Sequence, residues 1–245
     1  MLLGAALVRV GPDVVGPECS LVAGGGTVAL TLDQARDATM LAATTYRDGR
    51  TQESLAGALR PALEDAAGTL TPAQASAALA RPGAVDDRLP LARALLGYGE
   101  QRLVCRADEG GVDRQPEGPG GLTPRADDAR AQVLAAFGPL PVGGFAPGGV
   151  RTGHVEGSAH YDGRAVDVFF RPVSDRNRRR GWTTAQWLIA RAEPLDLAVV
   201  IFDRQLWSVA HADDGWRPYR HPSGATGNAV LDHLDHVHLD VLRGT

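Results

Sequence analysis

Residues 158–167 read Ser-Ala-His-Tyr-Asp-Gly-Arg-Ala-Val-Asp and run into Val168-Phe169-Phe170. The apolar run Ala165 to Phe170 reads as a strand, His160 falls in the turn ahead of it, and Gly163 permits a tight return between the two. A turn followed by a strand can direct an imidazole and a carboxylate into one cavity, and both are good zinc ligands. Asp167 stands among Ala165, Val166, Val168, Phe169 and Phe170. If that strand is buried, the carboxylate needs a partner, and a divalent cation is a natural one.

A second cluster lies near the C-terminus, where residues 232–238 read Asp-His-Leu-Asp-His-Val-His. In an extended segment His236 and His238 point to the same side. A third ligand from here completes a His/Asp/His set and leaves the fourth tetrahedral position open, as catalytic zinc requires. Asp235 is then a candidate proton acceptor. If His236 instead closed the tetrahedron, the site would be a structural one. All 7 histidines fall at or after residue 154, so the chemistry is expected in the C-terminal half.

Around these clusters the periodicities predict helices over 32–46, 54–66, 71–79, 89–98, 123–137 and 183–192. Strands are expected at the end of 145–152 and over 165–170, 197–202 and 237–241. The fold class is α+β, with a C-terminal, mostly antiparallel-sheet domain (122–245) preceded by a small helical domain (19–105). Residues 106–121, rich in Gly, Pro and acidic side chains, read as a flexible linker. Residues 1–18 include the apolar run Met1 to Val8, too short to span a bilayer, and are taken as the remnant of an export or anchor segment.

The net charge is −4 and every basic residue is Arg, scattered among the acidic ones, which speaks against nucleic acid as a partner. Cys19 and Cys105 flank the helical segment, form no CxxC pair and suit a disulfide, which favours an exported protein. Membrane contact is expected only through the N-terminal segment. His154 is read as facing water, and His211 and His221 have no partner in view. Trp187 is assigned to the core, while Trp207 and Trp216 are left open to stack on a ligand. The run Arg176 to Arg180 is read as a solvated loop.

The pattern Ser158, His160, Gly163, Ala165, Asp167, followed by Asp235 and His238, resembles the zinc D-Ala-D-Ala carboxypeptidases and L-alanyl-D-glutamate endopeptidases. These share a fold with the Hedgehog signalling domain, and the resemblance covers about residues 123–245. It implies a zinc peptidase domain with Zn2+ on His160, Asp167 and His238, Asp235 as general base, and His236 touching substrate or the attacking water. It also implies Ser158 and Arg151 as substrate contacts, with Arg164 turned to solvent, and stem peptides of peptidoglycan as substrate. Carboxypeptidase and endopeptidase action stay open. The alternative is a non-catalytic zinc domain of the same fold that binds cell wall or a protein partner.

Overall fold

The structure is a computed structural model and describes residues 18–23, 25–64, 69–80, 88–224 and 227–245. The apolar run Met1 to Val8 and the expected helix end at Ala66 lie outside these residues. Among the described residues no helix is long and apolar enough to cross a membrane.

The N-terminal segment carries a sheet as well as helices. Strands β1 (Cys19–Ala23), β2 (Gly26–Leu30) and β3 (Val104–Cys105) form an antiparallel sheet in the order β2-β1-β3. Cys19 pairs across to Cys105 in that register, and the two form a disulfide spanning 86 residues of sequence. Such a bridge suits an oxidising compartment. Labelling under denaturing conditions is therefore expected to find no free thiol. Reduction should lower the urea midpoint, with a loss of unfolding free energy of up to about 4 to 5 kcal/mol in the chain-entropy account of a loop this long. Two labelled thiols in unreduced protein would overturn the bridge.

Between β2 and β3 lie helices α1 (Leu32–Arg47), α2 (Gln52–Glu64), α3 (Pro72–Ala80) and α4 (Leu89–Leu95). Thr31 starts α1 through a reciprocal capping box. Its side chain accepts from Gln34 N at 3.2 Å, and Gln34 Oε1 accepts from Thr31 N at 3.0 Å. Helix α1 is buried along most of its length, and its small side chains Ala35, Ala38, Ala42 and Ala43 let the other helices approach closely.

The C-terminal half holds α5 (Pro124–Phe137), β4 (Val142–Gly143), β5 (Ala165–Phe169), α6 (Asp175–Ile189), β6 (Leu197–Phe202), β7 (Gln205–Ser208), β8 (Arg217–Pro218) and β9 (His236–Val241). Its six strands run in the order β4-β5-β9-β6-β7-β8, antiparallel at every pairing. The whole is a mixed α/β fold with antiparallel sheets. No strand forms over 145–152; the edge strand is β4, just upstream. Helix α6 begins eight residues before the expected start at Thr183. Ser174 caps it by accepting from Asn177 N at 3.3 Å, so Arg176 to Arg180 form its first turns and not a loop. A helix can begin in a polar run when its inward face becomes apolar only later, as here at Trp182.

Strand alternation divides the large sheet. Val166 and Val168 of β5 and Val237, Leu239 and Val241 of β9 are fully buried on the side covered by α5 and α6. Each such burial contributes about 1.5–3 kcal/mol. Asp167, His236, His238 and Asp240 therefore project from the other side. Because one face must be apolar, a one-residue slip of β9 would bring the histidines into the core, so burial fixes the register that builds the site.

Helix α6 is also the meeting surface of the two halves. Arg191, just past its end, donates to Arg36 O at 2.7 Å and Thr39 Oγ1 at 2.9 Å in α1. Gln186 accepts from Leu103 N at 2.9 Å, and Thr183 donates to Leu95 O at 3.1 Å. Residues 106–121 carry no helix or strand but are tied to the C-terminal half. Arg114 N donates to Thr245 O and Thr245 N to Val112 O, both at 3.2 Å, and Arg125 N donates to Gln115 Oε1 at 2.9 Å.

Candidate metal centre

His160 sits in a 3-10 turn (Ala159–Asp162) whose start is capped by Ser158, the hydroxyl accepting from His160 N at 3.4 Å. Gly163 ends the turn in the left-handed conformation at φ +65°, the tight return that the sequence calls for. The chain then enters β5, and Asp167 lies directly opposite His238 on β9. The three side chains converge. His160 Nε2 is 3.1 Å from His238 Nδ1, His238 Nδ1 is 3.0 Å from Asp167 Oδ1, and His160 Nε2 is 3.4 Å from that same oxygen. All three residues are buried.

Each imidazole turns one ring nitrogen inward. His160 Nδ1 donates to Gly144 O at 2.7 Å, since a carbonyl can only accept, and this leaves Nε2 as the acceptor. His238 turns Nδ1 toward His160 and Asp167, and its Nε2 lies 2.8 Å from Asp240 Oδ1. Two ring nitrogens and a carboxylate oxygen thus form a triangle with edges of 3.0 to 3.4 Å. Ligands at zinc bond lengths in a tetrahedron stand about 3.3 Å apart, so the donor set and its spacing fit a small divalent cation. His160, Asp167 and His238 together are a group that can hold a metal ion.

The surroundings are shaped to that triangle. Gly144 has φ +81°, and a Cβ there would run into the His160 ring and come 3.0 Å from Asp167 Oδ2, so only glycine lets this carbonyl reach His160. Burial alone would raise the Asp167 carboxyl, yet when the inward nitrogens of His160 and His238 carry protons, their hydrogen bonds and charge hold it far below the usual carboxylate range, and a bound cation would take the place of those protons. Burial would lower His238, but the carboxylates of Asp240 and Asp167 outweigh it and push the imidazole up. His233, by contrast, is driven down to about 3 by burial and the neighbouring His238 and His236.

Beside the triangle, His236 Nδ1 donates to Asp235 Oδ1 at 2.7 Å, while Arg171 Nε donates to Asp235 Oδ2, also at 2.7 Å. Both carboxylate oxygens are engaged. His236 Nε2 is left facing the triangle, 3.7 Å from Asp167 Oδ1. The triangle opens into a cavity of about 540 Å³ whose wall includes His154, Glu156, Tyr219, His221, Leu231 and His233.

The structure brings Ser158, His160, Asp167, His236 and His238 to this cavity and sets Asp235 behind His236. Arg151 stands apart. It pairs with Glu117 at 3.2 Å, donates to Tyr161 O at 3.3 Å and does not line the cavity. Four expectations for other residues are corrected. His154 does not simply face water, because its ring stacks on His160 at 3.9 Å. Arg164 is held to Val241 O at 2.8 Å and is largely covered. Trp207 is fully buried opposite Val200 on the core side of the sheet, and Trp216 donates to Leu103 O at 2.9 Å, so neither offers a face to a ligand there. His221 lines the cavity with Nδ1 2.7 Å from Ser223 Oγ, and His211 lies 3.4 Å from Asp214.

The sequence reading missed Asp240, Gly144, Arg171 and His233. Asp240 could have been found, since it continues the alternation of His236 and His238. Gly144 and Arg171 could not, because only the tertiary fold brings them here. Neither a curated protein nor a solved structure matches this chain. A family model described as VldE, C-terminal domain, matches residues 118–230, a stretch that takes in His160 and Asp167 and stops short of β9.

Proposed function

We propose that the protein is an exported zinc peptidase whose C-terminal domain cuts peptide bonds in peptidoglycan stem peptides. Support comes first from the donor triangle of His160, Asp167 and His238, which faces an open cavity and has the Asp235–His236 pair at its side. Two imidazoles and one carboxylate are a donor set that zinc favours, and three protein ligands leave a position for a reactant. The sequence pattern shared with the zinc D-Ala-D-Ala carboxypeptidases and L-alanyl-D-glutamate endopeptidases supports the substrate class. The Cys19–Cys105 bridge supports export.

When bound, zinc supplies Lewis acidity toward a carbonyl and acidifies water. The chain's own residues do the rest. Arg171 holds Asp235, and Asp235 keeps the proton of His236 on Nδ1, so Nε2 is the free acceptor for the proton that the attacking water loses. Asp235 then faces the imidazolium and stabilises it, which divides the base role between the two residues. His154 and Leu231 wall the site.

A second reading, a non-catalytic metal domain, has one observation in its favour. His236 Nε2, 3.7 Å from Asp167 Oδ1, is near enough to become a fourth ligand and close the tetrahedron. Incubation of purified protein with muropeptides of defined composition, read by mass spectrometry, separates the two. Cleavage that stops with a chelator and returns with zinc is expected. Intact muropeptides alongside a full complement of zinc would establish the second reading instead.

A further inference from the structure

The charge of the cavity wall selects between cutting a terminal and an internal peptide bond. In a carboxypeptidase substrate the free carboxylate lies one residue beyond the scissile carbonyl, within about 4 Å along the chain. It must therefore enter the cavity with that carbonyl. A carboxylate taken out of water needs a cation of its own or costs several kcal/mol.

The described residues of this wall include no arginine, and the chain has no lysine at all. Arg220, between the wall residues Tyr219 and His221, is exposed and is not part of the wall, and three other arginines close in sequence to site residues are engaged elsewhere. Arg171 holds Asp235 and lies over the Phe169 ring at 4.2 Å, Arg151 pairs with Glu117, and Arg164 is bound to Asp162 and Val241 O. Apart from its histidines, the wall's ionisable side chains are Asp167, Asp240, Glu156 and Tyr219. Asp167 belongs to the donor triangle and Asp240 faces His238, so Glu156 adds a negative charge that neither role takes up. An internal bond presents a neutral amide where the terminal bond presents a carboxylate, and a wall with no arginine or lysine and an added glutamate favours the first over the second.

We infer that this cavity takes an internal peptide bond, making the protein an endopeptidase that discriminates against a free carboxylate next to the cleaved bond. The inference rests on the peptidase reading above and narrows its substrate. Its test uses two stem peptides identical but for the C-terminus, one a free acid and one an amide, together with cross-linked muropeptides. Products are weighed, and released D-alanine is measured separately.

The wild-type protein is expected to cut internal bonds and release no terminal D-alanine. If it removes the last residue of the amide at all, it should do so at least threefold faster than that of the free acid. Glu156→Arg should bring the free acid level with the amide or ahead of it, read as the ratio of the two rates in protein of equal zinc content. Release of terminal D-alanine as the main product, or a loss of a hundredfold or more on amidation, would overturn the inference and leave the peptidase reading standing. Absence of cleavage of every substrate by zinc-loaded protein would overturn both.

Discussion

His160→Ala and Asp167→Ala are expected to purify with almost no zinc where the wild-type chain carries about one ion, because two remaining donors hold the metal too weakly to survive purification. Metal analysis of dialysed protein reads this directly. Asp240→Asn should behave differently. It keeps all three donors and loses only the carboxylate that lies 2.8 Å from His238 Nε2, so zinc should bind on the order of 10- to 100-fold more weakly without being abolished. Circular dichroism should show every variant folded, since the apolar face of β5 and β9 is untouched. Full zinc occupancy in either alanine variant would remove the triangle as the metal centre.

Asp235→Asn should retain zinc and lose hydrolysis by on the order of 10²-fold or more, the usual range for a general base. The side chain keeps its size, but its amide can now donate to His236 Nδ1, which turns Nε2 into a donor and removes the free acceptor. His236→Ala should lose a comparable factor, and the double variant little more than either alone, because the pair acts as one unit. Arg171→Ala should cost less, since its guanidinium is half exposed and Asp235 keeps its bond to His236. Zinc titration and single-turnover hydrolysis separate these effects. If Asp235→Asn kept wild-type activity on a proven substrate, the proton would have to leave by another route. If it lost zinc, Asp235 would be supporting the metal.

The donor triangle was legible in the sequence because each half of it is local. Ser158, His160, Gly163 and Asp167 form a turn running into a strand, and the two-residue period of β9 puts His236 and His238 on one side. The fold class was legible from the same periodicities. What escaped reading depends on distant contacts. Arg151 is near His160 in sequence, yet Glu117 draws it away, while Arg171 reaches Asp235 across 64 residues. Helix α6 was placed late because its first turns are arginines, whose long stems tolerate a helix surface as readily as a loop. Strands β1, β2 and β3 are short, and their pairing is visible only once Cys19 and Cys105 are known to lie opposite each other.

The family match begins at residue 118, which invites the excision of the C-terminal half as a module. The bonds from α6 to the N-terminal half argue against that cut. Without residues 19–105, Arg191 loses its acceptors at Arg36 and Thr39, Gln186 loses Leu103, and Trp187 and its neighbours meet water. A charged guanidinium and a side-chain amide would be stranded on a greasy surface that also backs the strands bearing Asp167 and His238. The N-terminal half is thus expected to fold as the other side of one cooperative unit. Exchange of amide hydrogens in α1 and in β9 should report the same opening event.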